Sequence, residues 1–256
     1  MPIVRPRFRV PAEPAQAPAS GLPADGHQRQ GRKEQVHAGR RLPGVQLLLD
    51  DPALRLAEDA LGIVESEVSV IHLGPALLMC EGLRAVREFR EGHPERIIGA
   101  DVRIWGRGAE LARHCFRSGA NWVTCASGAS LSTIAGVVGA AEALGGHVRI
   151  ELGERFSTDR ARAWQMRGVS HVILPCPGQG RAERLPGQRC ETLERMERLQ
   201  QLGLAVSVAG AFAPEDVAVL IRAGAETVIV GESVTQAEDP LRAVTAVKVA
   251  IERAWI

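Results

Sequence analysis

The sequence predicts a closed (β/α)8 TIM barrel of class α/β, and three observations predict it. Eight short, nearly continuous apolar runs recur along the chain; a helical pattern follows each; and seven end in a polar or glycine signal, the eighth in proline. A length of 256 residues with 45% hydrophobic content suits one such barrel with a short extension. Residues 1–44 are expected to form a flexible Arg/Pro-rich arm and residues 45–256 the barrel, a single domain.

The predicted strands are Val45–Leu49, Val68–Leu73, Arg96–Ala100, Ala120–Thr124, His147–Leu152, Ser170–Leu174, Leu204–Ala209 and Glu226–Val230. Asp51-Pro52 supplies an acidic cap and a proline at the first helical position, and so predicts the start of the first helix. Gly82–Phe89 reads as the second helix, stopped by Gly92-His93-Pro94. Ala109–Phe116 follows strand three. Ser132–Leu144 follows strand four, capped by Ser130 or Ser132 and stopped by Gly145-Gly146. Thr158–Met166, Glu191–Leu202, Pro214–Ala223 and Pro240–Ala254 complete the set, with both prolines where a first turn tolerates them. The loop Pro175–Gly187, rich in proline and glycine, has the character of a lid.

Composition removes several function classes. Residues 1–44 hold eight basic and three acidic side chains, net +5, which leaves 23 against 27, net −4, for the rest. A mildly acidic body argues against a nucleic-acid groove and leaves only the arm as a contact for RNA, a membrane surface or an acidic partner. Such an arm, poor in apolar periodicity, cannot offset its ordering entropy. A weakly selected extension is the plainer reading. Five cysteines (Cys80, Cys115, Cys125, Cys176 and Cys190) form no metal or redox spacing, and no apolar run reaches membrane-spanning length; a reducing cytoplasm is expected. The two lysines, Lys33 and Lys248, lie in the arm and the last helix, so a Schiff-base mechanism lacks its amine.

A parallel barrel carries its chemistry at the C-terminal ends of its strands. There the sequence places Asp50, His72, Asp101 with Arg103, and Glu151 as catalytic candidates, and Trp105, Cys125, Cys176, Gly210, Gly231, Glu232 and Ser233 as substrate-binding candidates. Carboxylates at the end of buried runs demand pairing, hydrogen bonds or a metal. Asp101 could pair with Arg103, and Glu151 with Arg149 or Arg155. Asp50 competes with a capping role. His72 could move protons or join Asp101 in holding a divalent metal such as magnesium; the alternative is that no cofactor is required. Cys125 has no base beside it, which favours packing over nucleophilic attack. The glycines after strands seven and eight suit a phosphate cradle, but Glu232 would set a like charge beside the anion.

The segments Leu48-Leu49-Asp50, Ile71-His72-Leu73-Gly74, Glu81-Gly82-Leu83, Gly99-Ala100-Asp101, Gly119–Thr124, Ser132–Gly136, Ile150-Glu151-Leu152 and Ser207–Gly210, in this order, resemble the orotidine-monophosphate-decarboxylase suprafamily. The likeness is to 3-hexulose-6-phosphate synthases and 3-keto-L-gulonate-6-phosphate decarboxylases, over residues 45–250. It implies lyase chemistry on a small-molecule substrate and a homodimer. It also implies an Asp-x-Lys-x-x-Asp motif after strand three, where this chain has Asp101-Val102-Arg103-Ile104-Trp105-Gly106. The metal-binding glutamate implied on strand two is His72, the strand-six histidine is Pro175, and the phosphate position after strand eight is Glu232. Arginine cannot trade a proton as lysine does.

Three functional readings follow. One is a lyase-type enzyme (decarboxylase- or aldolase-like, or an isomerase or cyclase) with a repurposed site for a non-phosphorylated carbonyl or keto acid. The second is retained hexulose-6-phosphate synthase or ketogulonate-phosphate decarboxylase activity. The third is an inactive barrel that serves as a binding or scaffold protein.

Overall fold

The structure, a computed structural model, describes residues 42–153, 156–176 and 191–255. The arm up to residue 41, Arg155, Cys190 and the lid expected over Pro175–Gly187, except its first two residues, lie outside the described residues. The elements run β1 Gly44–Leu49, α1 Leu54–Val64, β2 Val70–Leu73, α2 Pro75–Glu81, α3 Leu83–Gly92, β3 Ile97–Ile104, α4 Gly108–Arg117, β4 Trp122–Ala126, α5 Leu131–Leu144, β5 His147–Glu151, α6 Thr158–Gln165, β6 His171–Pro175, α7 Glu191–Gln201, β7 Ala205–Ala209, α8 Pro214–Arg222, β8 Thr227–Val230, α9 Glu232–Thr235 and α10 Pro240–Trp255. The strands are parallel and in sequence order, and β8 closes on β1 with Gln46 opposite Ile229. This is the (β/α)8 barrel the apolar runs predict.

Strand alternation sorts the side chains into two layers. Val45, Leu47 and Leu49 join the large core between strands and helices, whereas Leu48 faces the barrel interior with Val70, Trp122, Ile173 and Ile229. Interiors of such barrels are usually filled by branched aliphatics. This one also buries Gln46, His72, Asp101, Thr124, His171, Ser207 and Thr227, and buried polar groups must find partners. Trp122 fits inside because Gly99 faces it: a Cβ there would come within 1.8 Å of the indole.

Four local expectations are corrected. Asp51 does not cap the first helix; its Oδ1 accepts from Ala53 N (2.9 Å), closing an Asx turn ahead of α1, so Pro52 precedes the helix. The single helix expected after strand two is a pair, because Gly82 at φ 63° ends α2 before α3 begins. Strand three does not stop at Ala100. It runs to Ile104 through a register irregularity against β4, so Asp101 and Arg103 sit within the strand end. A four-residue helix, α9, follows β8 ahead of α10, where Pro240–Ala254 was the one helix expected. Elsewhere the punctuation acts as expected: Ser130 Oγ accepts from Thr133 N (3.0 Å) at the head of α5, and Gly145 at φ 70° closes it.

Candidate active site

The irregular end of β3 builds the site. Arg103 takes a left-handed backbone conformation (φ 43°) and its N–H donates to Thr124 Oγ1 on β4 (2.8 Å). Thr124 Oγ1 donates in turn to Asp101 Oδ1 (2.6 Å). The bulge thereby turns the Arg103 guanidinium back over the mouth, where Nη2 lies 3.6 Å from Asp101 Oδ2 and Nε 2.5 Å from Glu151 Oε2 at the end of β5. Asp101 is almost fully buried, Glu151 mostly so, and Arg103 half exposed. From β2, His72 Nε2 reaches within 3.5 Å of Asp101 Oδ2. Two buried atoms here, His72 Nε2 beside Asp101 and Glu151 Oε2 beside Arg103, have close polar contacts but no aligned hydrogen bond.

The two carboxyls are driven apart in acidity. Burial raises Asp101, but the pull of His72, Thr124 and Arg103 outweighs it and leaves Asp101 below the ordinary carboxylate range. Glu151 is pushed up to about 7 by burial and by the Asp101 charge, against the pull of Arg103, with Asp50 adding to the rise. One carboxylate that stays ionised beside one poised near neutrality, with a fixed cation between them, is an acid–base arrangement.

The other candidates divide. Asp50 is spent as a cap: its Oδ1 accepts from Ala76 N (2.6 Å) at the head of α2, and Gly74 leaves room for it, since a Cβ would lie 2.3 Å from that oxygen. Cys125 and Cys176 do not line the mouth. Both point into the strand–helix core, where burial pushes the Cys125 thiol up to about 12. Arg149 does not neutralise Glu151; it lies deeper in the interior, bonded to Gln46, and Arg103 takes the pairing role. Trp105 is largely exposed and covers Gly128 in the β4–α5 loop.

Beside it, Ser127, Gly128, Phe156, Ser157, Arg160 and Trp164 line a cleft of about 410 Å³ between the loops that follow β4 and β5. Of the expected phosphate cradle, Gly210 N–H already donates to Ile229 O (3.2 Å), and Glu232 and Ser233 are exposed at the head of α9.

The donors at the mouth do not fit a divalent cation. Among the described residues no three His, Cys, Asp or Glu side chains converge as a ligand set, and the Arg103 guanidinium already flanks the Asp101 oxygen a metal would use. The sequence reading missed Gln46, Thr124 and Trp122, and gave Arg149 only as a partner for Glu151. A signal was available for two of them: Gln46 lies four residues before Asp50, and Arg149 two before Glu151, so strand alternation puts each pair on the inner face.

Comparison with known proteins gives the ancestry. A 3-keto-L-gulonate-6-phosphate decarboxylase UlaD from Salmonella paratyphi B is 30% identical over 214 residues, covering 84% of this chain and 99% of that protein. The crystal structure of KGPDC from Streptococcus mutans in complex with D-R5P matches with a TM-score of 0.76 at 30% identity, over 84% of this chain and 100% of that one. A crystal structure of 3-hexulose-6-phosphate synthase matches with a TM-score of 0.71 at 29% identity, over 81% of this chain and 99% of that one. The family model for orotidine 5'-phosphate decarboxylase / HUMPS matches residues 43–247. Eight-stranded closure and this match agree: the chain belongs to the orotidine 5'-phosphate decarboxylase / HUMPS family.

Proposed function

We propose that this protein is a carbon–carbon lyase of the enolate-forming type, whose mouth has been rebuilt for a non-phosphorylated keto acid or hydroxycarbonyl substrate. The observation that carries this reading is the Asp101–Arg103–Glu151 cluster, in which a fixed cation lies between an acidic and a near-neutral carboxyl. Cleavage of a bond next to a carbonyl, by loss of carbon dioxide or by retro-aldol fission, leaves its electron pair as an enolate. Arg103 would meet the negative oxygen. Glu151, in its protonated form, would deliver the proton to carbon; for a retro-aldol step its ionised form would first accept the hydroxyl proton. Asp101, held ionised by Thr124 and His72, would repel a substrate carboxylate and favour its departure as neutral carbon dioxide.

The exposed Glu232 and the committed Gly210 N–H weigh against a bound phosphate. A second reading, retained phosphosugar lyase activity, is favoured by the activities of the relatives and by the D-R5P complex. Calorimetric titration with ribulose 5-phosphate and with inorganic phosphate separates the two. No heat of binding is expected at millimolar ligand; a clear isotherm for either would move the second reading to first place. The family likeness also supports a homodimer, to be checked by sedimentation at micromolar concentration.

A further inference from the structure

Below the mouth, the donors and acceptors inside the barrel allow one arrangement. Arginine offers donors only, so the Gln46 atom 2.9 Å from Arg149 Nη1 is its carbonyl Oε1. The Gln46 amide nitrogen, again a donor only, therefore faces His72 Nδ1 at 2.7 Å, and Nδ1 must accept. The ring hydrogen of His72 then sits on Nε2, 3.5 Å from Asp101 Oδ2. Trp122 holds both ends in place: the Arg149 guanidinium stacks over its ring at 4.2 Å, and the His72 ring meets it edge-on at 4.9 Å.

We propose that Arg149 and Gln46 are positioning residues that lock His72 in its Nε2–H tautomer beside Asp101, so that the mouth uses the fixed charge of Arg103 where a divalent cation would otherwise sit. A metal needs the lone pair of Nε2, and an imidazole whose Nδ1 lone pair is given to Gln46 carries hydrogen there instead. The partner across the ring decides which nitrogen is free, as it does for histidines that ligate metals. Arg103 Nη2, 3.6 Å from the same Asp101 oxygen, adds like-charge repulsion against a dication. This inference rests on the mouth being the site, as the proposed function has it, but both of its readouts are independent of turnover.

Long-range proton–nitrogen correlation spectra of the full chain labelled at histidine nitrogen test it, with His72 assigned by its loss in His72→Gln. The wild type is expected to show His72 protonated at Nε2 and unprotonated at Nδ1, with no selective broadening by micromolar manganese. Gln46→Glu keeps the shape and the pairing with Arg149 but offers Nδ1 an acceptor. It is expected to move the hydrogen to Nδ1 and to tighten manganese binding at the mouth by about tenfold or more. Should that variant fail to fold, Arg149→Met, which frees the Gln46 amide to turn over, is expected to give a mixture of tautomers. An Nδ1-protonated His72 in the wild type, selective broadening of its signal by micromolar manganese, or a Gln46→Glu protein that switches tautomer without gaining metal affinity would each overturn the proposal. The expected spectra in a protein inert toward every substrate would sink the proposed function and leave this inference standing.

Discussion

Glu151→Gln isolates the electrostatic cost of the site. A carboxyl held at about 7 when folded, against an ordinary 4.5, binds more protons in the native state than in the unfolded chain between those values. Wild-type stability contributed by this group is therefore fully present below about pH 4.5, falls as pH rises, and levels off above about pH 7. Linkage puts the cost of ionised Glu151 at about 1 kcal/mol at pH 5 and about 3 kcal/mol at pH 8. The side-chain amide of the variant does not titrate, and its desolvation, about 1 kcal/mol, is the same at both pH values. The stability of the variant relative to wild type should thus improve by about 2 kcal/mol from pH 5 to pH 8, a difference free of the amide's own cost. Urea denaturation followed by circular dichroism at the two pH values measures it. A difference that stays flat, or that shrinks with rising pH, would refute the claim that Asp101 and burial raise Glu151 against the pull of Arg103.

Three further outcomes are expected. Gly99→Ala drives a Cβ to within 1.8 Å of the Trp122 ring and should cost about 3 kcal/mol or abolish soluble expression, with partial recovery in Gly99→Ala/Trp122→Phe, read by thermal melts. Arg103→Met removes the positive charge that pulls Glu151 down, so carbon-13 NMR titration should find its midpoint above the wild-type value of about 7; a lower midpoint would show that Arg103 does not pair with it. Ser207→Ala leaves His171 Nε2, now 2.7 Å from Ser207 Oγ, without its buried partner and should cost about 2 kcal/mol by urea denaturation. Ser207 is fully buried at mid-barrel, so ligand binding at the mouth should not change; altered binding would mean that the interior seam reaches the site.

The barrel was legible because each strand is a near-continuous apolar run with a polar or glycine stop, a pattern that survives without tertiary information. Placing Asp101, Arg103 and Glu151 at the mouth followed from that pattern alone. What could not be read was the irregularity in β3. The run after Ala100 gives no turn signal, yet Arg103 adopts a positive φ because Thr124 on the next strand takes its N–H. The placement of Cys125 and Cys176 at the mouth failed for a related reason, although packing was already the favoured role for Cys125. A strand end was assigned without its phase, and one step along a strand moves a side chain from the mouth to the helix layer. Asp50 and Asp51 were read as rivals for the cap of the first helix, whereas neither caps it: Asp50 accepts from Ala76 at the head of α2, and Asp51 closes a local turn at Ala53.

The most direct test is proton exchange next to a carbonyl in deuterated water, followed by proton NMR, for D-ribulose and D-ribulose 5-phosphate in parallel. These probes share the reacting carbons and differ in the phosphate. Enzyme-dependent exchange into D-ribulose, lost in Glu151→Gln, is expected. Exchange into the phosphorylated sugar alone, or exchange that persists in Glu151→Gln, would contradict a site rebuilt around Arg103 and Glu151 for a non-phosphorylated substrate.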